Sequence, residues 1–249
     1  MAQVSRAYVQ RQAGLIANLS KAAKKTVTKR LEGISDLDTT ASIMSETCKA
    51  YTDMSAAITV QFYGGIRKAS KTKSRYTPAA LSGYNADRVY SATISILEEV
   101  ESGSATVSAV ELLSNVVNRE VKNAADYCVR ENVKRDPARP KYAIVPNGDA
   151  CAFCQMRASL GYTYGDDDAS HSHDHCTCTA TPVFGGESIE GYNPKEYEGR
   201  YNEAKDALAS GDISDELRER IEAQKAEKGR GFDKTNAILM VMREQQGIS

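Results

Sequence analysis

Between Tyr142 and Phe184 the chain reads YAIVPNGDACAFCQMRASLGYTYGDDDASHSHDHCTCTATPVF, which holds four of its six cysteines and all three of its histidines. Cys151-x-x-Cys154 is followed by His173-x-x-Cys176-x-Cys178. Thiolates and imidazoles in this spacing are ligands for zinc, which takes four in a tetrahedron and leaves no open position at a structural site. The first pair comes from one turn, at the start of a short helix that Gly161 ends, and a helix N-terminus favours the thiolate. Tyr162-Thr163-Tyr164 reads as a short strand. Cys176 and Cys178 are two apart, so on a strand they face the same way. Five candidates compete for four places: Cys151, Cys154 and His173, with Cys178 or Cys176 as the fourth. His171 and His175 are expected to be exposed, His175 being the nearer substitute. A structural zinc supplies on the order of 10 kcal/mol of folding free energy, enough to shape a loop-rich stretch.

Catalytic chemistries fit less well. A nucleobase deaminase needs His-x-Glu upstream of Pro-Cys-x-x-Cys; here the order is reversed and both the Glu and the Pro are missing. His-Glu-x-x-His, a phosphate loop and a Gly-x-Ser-x-Gly elbow are absent from the sequence. Asp166-Asp167-Asp168 reads as a solvated acidic turn. A Cys-His hydrolase would have to draw its base from histidines crowded among competing ligands. No catalytic residue is assigned, and the expectation is a protein that is not an enzyme.

The elements that must position the cysteines are mostly helical. Residues 4–31 place Val4, Tyr8, Leu15, Ile16, Leu19, Ala23 and Val27 at three-to-four spacing, a helix stopped by Gly33. Asp38 or Thr39 can cap a second helix that uses Ile43, Met44, Cys48, Tyr51, Met54, Ile58 and Phe62 and stops at Gly64-Gly65. A basic loop over 66–83 is the best candidate for a flexible or partner-dependent segment. A third helix runs near 85–100. The clearest follows over 105–134, with Val110, Leu113, Val117, Val121, Ala124, Cys128 and Val133 on one stripe and Glu111, Arg119, Glu120, Lys122, Arg130 and Glu131 outside it. Asp136-Pro137 ends it. Cys48 and Cys128 fall on apolar stripes and read as core. Beyond a turn region from Pro182 to Pro194, helices are expected over 195–208, 214–228 and 233–246, with a capping turn at Asp212 to Asp215.

The 249 residues carry 32 Lys and Arg against 33 Asp and Glu, a net charge of −1, so the whole is no polyelectrolyte binder. The charge is uneven: residues 1–31 hold Arg6, Arg11, Lys21, Lys24, Lys25, Lys29 and Arg30 and no acid. Near the ligands Asp149, Asp166, Asp167, Asp168 and Asp174 are opposed by Arg157 alone. No apolar run approaches the ~18 residues that span a bilayer. With no apolar leader, a reducing compartment is expected, where clustered cysteines favour metal over disulfides.

The helix ending in VRENVKRDP, the segment YAIVPNGDACAFCQMRASLGYTY, then HDHCTC and TPVF, resembles the Mu-type F-like minor head proteins of tailed bacteriophages, the actinobacterial-phage versions above all. Asp136, Pro137, Gly148, Cys151, Phe153, Cys154, Ala158, Ser159, Gly161, Tyr164, His173, Cys176 and Cys178 carry the likeness; Leu160 departs from it where an Arg is common. The resemblance implies a low-copy virion component inside the head, at the portal vertex, acting in head assembly or DNA delivery. Its implied partners are the portal protein, then the major capsid or scaffolding protein, with non-specific contact to packaged DNA and none to membrane; assembly would pass through the host cytoplasm. The expected fold is mainly α: a helical region over 1–135, a zinc-stapled α+β module over 136–190 and a charged helical tail over 191–249. The rival readings are a zinc-containing nucleic-acid-binding protein and a Cys/His hydrolase or toxin-like enzyme.

Overall fold

The computed structural model describes residues 3–34, 36–148, 150–163 and 178–248. Three long helices form its centre. The first, α1 (Arg6–Arg30), buries Val9, Gln12, Ile16, Ser20, Ala23 and Val27, the three-to-four spacing of one helical face; Leu15 is 43% exposed and lies off it. The second, α2 (Leu37–Ala69), starts one residue after its cap: Asp36 accepts from the Thr39 amide at 2.8 Å, rather than Asp38 or Thr39 serving as cap. It does not stop at Gly64-Gly65. A Cβ on Gly65 would lie 2.3 Å from Tyr8 Oη, so this glycine is a packing requirement of α1 against α2, not a terminator. Met54 is 50% exposed and lies outside the core.

After α3 (Ala86–Glu101), the helix α4 (Ala109–Arg135) runs against α1, α2 and α3. The apolar stripe is present, but Glu120, Asp126, Arg130 and Asn132 are buried as well. They sit under neighbouring elements rather than on a solvated face. Arg88 of α3 donates to Glu120, the Arg130 guanidinium lies 5.7 Å from the Tyr127 ring centroid, and Asn132 serves the preceding loop. That loop is tied down. Tyr76 Oη and the Ala79 amide both reach Asn132 Oδ1 at 2.8 Å, and Asn132 Nδ2 donates to the Ala79 carbonyl at 2.9 Å. Residues 66–69 finish α2, and Lys68, Lys71, Lys73 and Arg75 are exposed along a braced segment rather than a flexible one.

Two short sheets complete the middle of the chain. Strand β1 (Gln3–Val4) pairs in parallel with β4 (Ser188–Ile189), and β2 (Lys141–Val145) pairs antiparallel with β3 (Thr179–Val183). Pro182 stands opposite Tyr142, whose N–H and C=O bond instead to Thr163 on the other edge at 2.9 Å each. That position asks no ladder donor of proline. Tyr142 to Val145 are all buried, in one apolar cluster with Phe62, Tyr63 and Ile66 of α2, Val129 and Val133 of α4, and Val183 and Phe184. The rest is helical: α5 (Ala152–Ser159), α6 (Pro194–Ser210), α7 (Asp215–Lys228) and α8 (Lys234–Gln246). The turn before α7 caps it through Ser214. Six consecutive residues of α8, Ala237 to Met242, are buried, because α5, α6 and α7 all pack on it. The described chain is mainly helical with a small sheet component, and no described helix is long and apolar enough to cross a membrane.

The two adjacent glycines of α2 are predicted to behave oppositely. Gly64→Ala meets only Pro78 Cγ at 4.0 Å, so helix propensity should raise stability by up to about 1 kcal/mol. Gly65→Ala should lower it by about 1–3 kcal/mol through overpacking on Tyr8. Adding Tyr8→Phe should restore most of that loss in chemical denaturation.

Candidate metal centre

Cys151 is the N-cap of α5, in extended conformation, and its Sγ accepts from the Cys154 amide at 3.5 Å. Both sulfurs therefore belong to one helix start, where partial positive charge favours thiolate. Cys154 is buried and Cys151 half-buried. Gly161 follows the helix at φ +66°, the left-handed conformation that ends it as the sequence predicts. In the expected strand Tyr162-Thr163-Tyr164, Thr163 bridges to Tyr142, and Tyr164 lies outside the described residues.

The helix is held from four directions. Arg157, its side chain 1% exposed, lies 3.6 Å from the Asp126 carboxylate of α4. It therefore serves as a buried anchor of α5; the acidic residues of the ligand loop lie outside the described residues. Tyr192 Oη donates to the Ala158 carbonyl at 2.6 Å. Gln155 donates to the Ala150 carbonyl at 2.9 Å and to Gln246 of α8 at 2.6 Å, while Arg200 of α6 donates to Gln155 at 2.9 Å. The loop entering the site is pinned too: Asn147 Nδ2 donates to Thr179 Oγ1 at 2.9 Å, and Arg6 to the Pro146 carbonyl. These anchors were missed in sequence. Arg157 and Gln155 are polar residues on a short helix, and nothing local says that α4, α6 and α8 will close over them.

Cys178 is half-buried and precedes β3 directly, at the same end of the β2–β3 pair as the loop into Cys151. His173 and Cys176 lie outside the described residues, as do His171, His175, Tyr164, Asp149, Asp166, Asp167, Asp168 and Asp174. Among the described residues no group of three His, Cys, Asp or Glu converges on one point. What the structure brings together is the Cys151–Cys154 half of a tetrahedral set, sulfur donors preorganised on one turn, which fits zinc chemistry.

The other two cysteines belong to the core. Cys48 lies wholly inside, where burial and then the Glu120 carboxylate push its thiol up to about 12. Cys128 Sγ lies 3.6 Å from the carbonyls of Ala56 and Ala79, and burial raises its pKa also.

A family model described as VG15 protein matches residues 2–204, most of the chain. The chain belongs to the VG15 protein family. The family is a phage one, so the chain is a phage virion-related protein. The match takes in the bundle, both sheets, α5 and most of α6, and stops before α7 and α8. Neither the curated proteins nor the solved structures hold a significant match.

Thiol labelling should separate the two kinds of cysteine. At neutral pH, far below a thiol pKa of about 12, Cys48 stays protonated and Cys128 follows it. Iodoacetamide on the native, chelator-treated protein should alkylate Cys151 and Cys178 first, with Cys48 and Cys128 modified only on unfolding, read by peptide mass spectrometry.

Proposed function

We propose that this chain is a non-enzymatic minor head protein of a tailed phage, associated with the portal vertex inside the capsid and acting in head assembly or DNA delivery. The VG15 family match across residues 2–204 carries this reading. The Mu-type F-like pattern from Asp136 to Cys178 supports it. The helix α1 adds a surface of the right sign: it contains no acid, and Arg11, Lys21, Lys25, Lys29 and Arg30 are exposed along it. Such a face suits an acidic portal surface or packaged DNA, and contacts of this kind weaken with salt. That same face is the observation favouring the second reading, a zinc-containing nucleic-acid-binding protein.

In the proposed metal centre Cys151, Cys154 and His173 bind zinc with Cys176 or Cys178. The ion would supply a structural crosslink between the start of α5 and the segment entering β3. What the chain itself does is hold the first two donors rigid, through Arg157–Asp126 and the Gln155 and Tyr192 hydrogen bonds. The strands on either side rest on the core of α2 and α4 and need no metal to stay packed.

Three measurements test this. Quantitative mass spectrometry of purified virions should find the protein at far fewer copies than the major capsid protein; its absence from virions would refute the head assignment. Elemental analysis should return one zinc per chain, reduced by Cys154→Ser. On chelation, hydrogen exchange should rise over 164–178 while α5, β2, β3 and α4 stay protected. Chelation that leaves 164–178 unchanged would remove the metal from the reading without touching the virion assignment.

A further inference from the structure

A cleft of about 560 Å³ opens between α1 and α4, closed at one end by the turn after β2 and the start of β3. Its volume lies in the ~300–1,000 Å³ range of small-ligand sites. The walls are small and apolar, with Ala13, Gly14, Ala17 and Ala125 facing one another across it. Gly14 sits in the interior of a helix, where glycine is disfavoured relative to alanine. A Cβ there would meet nothing within 4 Å, so no packing in the described chain requires it. Its effect is to leave the cleft open.

Among the described residues the charge lining this space is mainly positive. Lys21 and Lys24 from α1 and Lys122 from α4 line it with one carboxylate, Asp126, which lies 3.6 Å from Arg157. Lys24 donates to Asn115 at 2.9 Å, which holds its ammonium beside the rim. On the wall the Ser20 hydroxyl, in a residue 2% exposed, has no hydrogen-bond partner among the described residues. A buried hydroxyl left so is unfavourable, and an oxygen-bearing ligand would relieve it.

We propose that this cleft binds a phosphate-bearing ligand of nucleotide size. The lysines take the phosphate, Ser20 donates to one of its oxygens, and the planar remainder lies along the small-residue walls. An inorganic anion would satisfy the lysines and leave the apolar length of the cleft unused. The same chemistry is offered by a free nucleotide and by the terminal nucleotide of a phosphorylated DNA end. The inference stands apart from the portal assignment, since it concerns a cleft that a soluble ligand reaches.

The test is calorimetric titration of the full-length protein with dAMP and with inorganic phosphate, followed by competition with a short DNA duplex, terminally phosphorylated or not. A saturable one-to-one dAMP isotherm, weaker for inorganic phosphate, is expected. Lys21→Ala/Lys122→Ala should weaken it by about tenfold or more, the scale of a lost charged hydrogen bond. Gly14→Leu should abolish binding while leaving the melting temperature unchanged or higher, because it fills the cleft and improves the helix. A phosphorylated duplex that displaces dAMP identifies a DNA end as the source, and one that does not identifies the free nucleotide. Absence of dAMP binding overturns the proposal. So does binding that both the lysine pair and Gly14→Leu leave intact, which would place the anion on the outer basic face of α1.

Discussion

The arrangement depends on a buried carboxylate at an unfavourable place. Asp136 caps the C-terminus of α4 with its side chain fully out of solvent, where the helix dipole opposes negative charge. It is tolerated because Arg67 of α2 donates to it at 2.7 and 3.3 Å, Tyr63 at 3.1 Å and the Ala138 amide at 2.9 Å. Burial and the Asp136 charge keep the Tyr63 phenol protonated far above its usual range, so it remains a donor. Arg67 also donates to the Ser74 carbonyl and stacks near Tyr76. One carboxylate thus joins the end of α2, the braced loop, the end of α4 and the turn into β2. Removing either charge would strand the other in the interior, a loss of the order of 3–5 kcal/mol.

The same logic runs along α4 and explains what sequence reading could and could not supply. Helix positions, the Asp136-Pro137 stop, the capping turn from Asp212 to Asp215 and the core fate of Cys48 and Cys128 follow from periodicity and local turn chemistry, which are properties of neighbouring residues. The burial of Glu120, Asp126 and Arg130 is not such a property. A charged residue reads as solvated until the element that covers it is known, and here α3, α5 and the sheet supply the covers. Gly64-Gly65 misleads for a related reason: a glycine needed for close approach to Tyr8 carries the same letter as a glycine that ends a helix. The pairing of Gln3–Val4 with Ser188–Ile189 joins residues far apart in the chain, and no local pattern announces it.

For the cysteine stretch the legible part was chemical and the illegible part mechanical. The short helix, its start at Cys151 and its glycine end were readable. What sequence suggested was a loop-rich module short of apolar residues and dependent on metal for its shape. The described structure differs: Tyr142 to Val145 and Ala180 to Phe184 are core strands and a core turn, sharing side-chain contacts with α2 and α4. Among the described residues of the stretch the strand residues are buried against other elements, as are Ala152, Cys154 and Ala158 of α5, while Leu160 is 55% exposed.

That difference changes what a metal could contribute. Were the whole stretch shaped by zinc, most of the ~10 kcal/mol of binding free energy would go into ordering backbone at about 1–2 kcal/mol per residue. With α5 already fixed by Arg157–Asp126, by Tyr192 and by Gln155, Cys151 and Cys154 meet an incoming ion without that ordering cost. The binding free energy is then concentrated on the remaining ligands and the short connection that carries them. A centre built in this way would crosslink a frame that already exists, so metal occupancy and global stability would separate. Occupancy would then act on the connection between α5 and β3 while the bundle, the sheets and the buried Asp136 junction stay as they are.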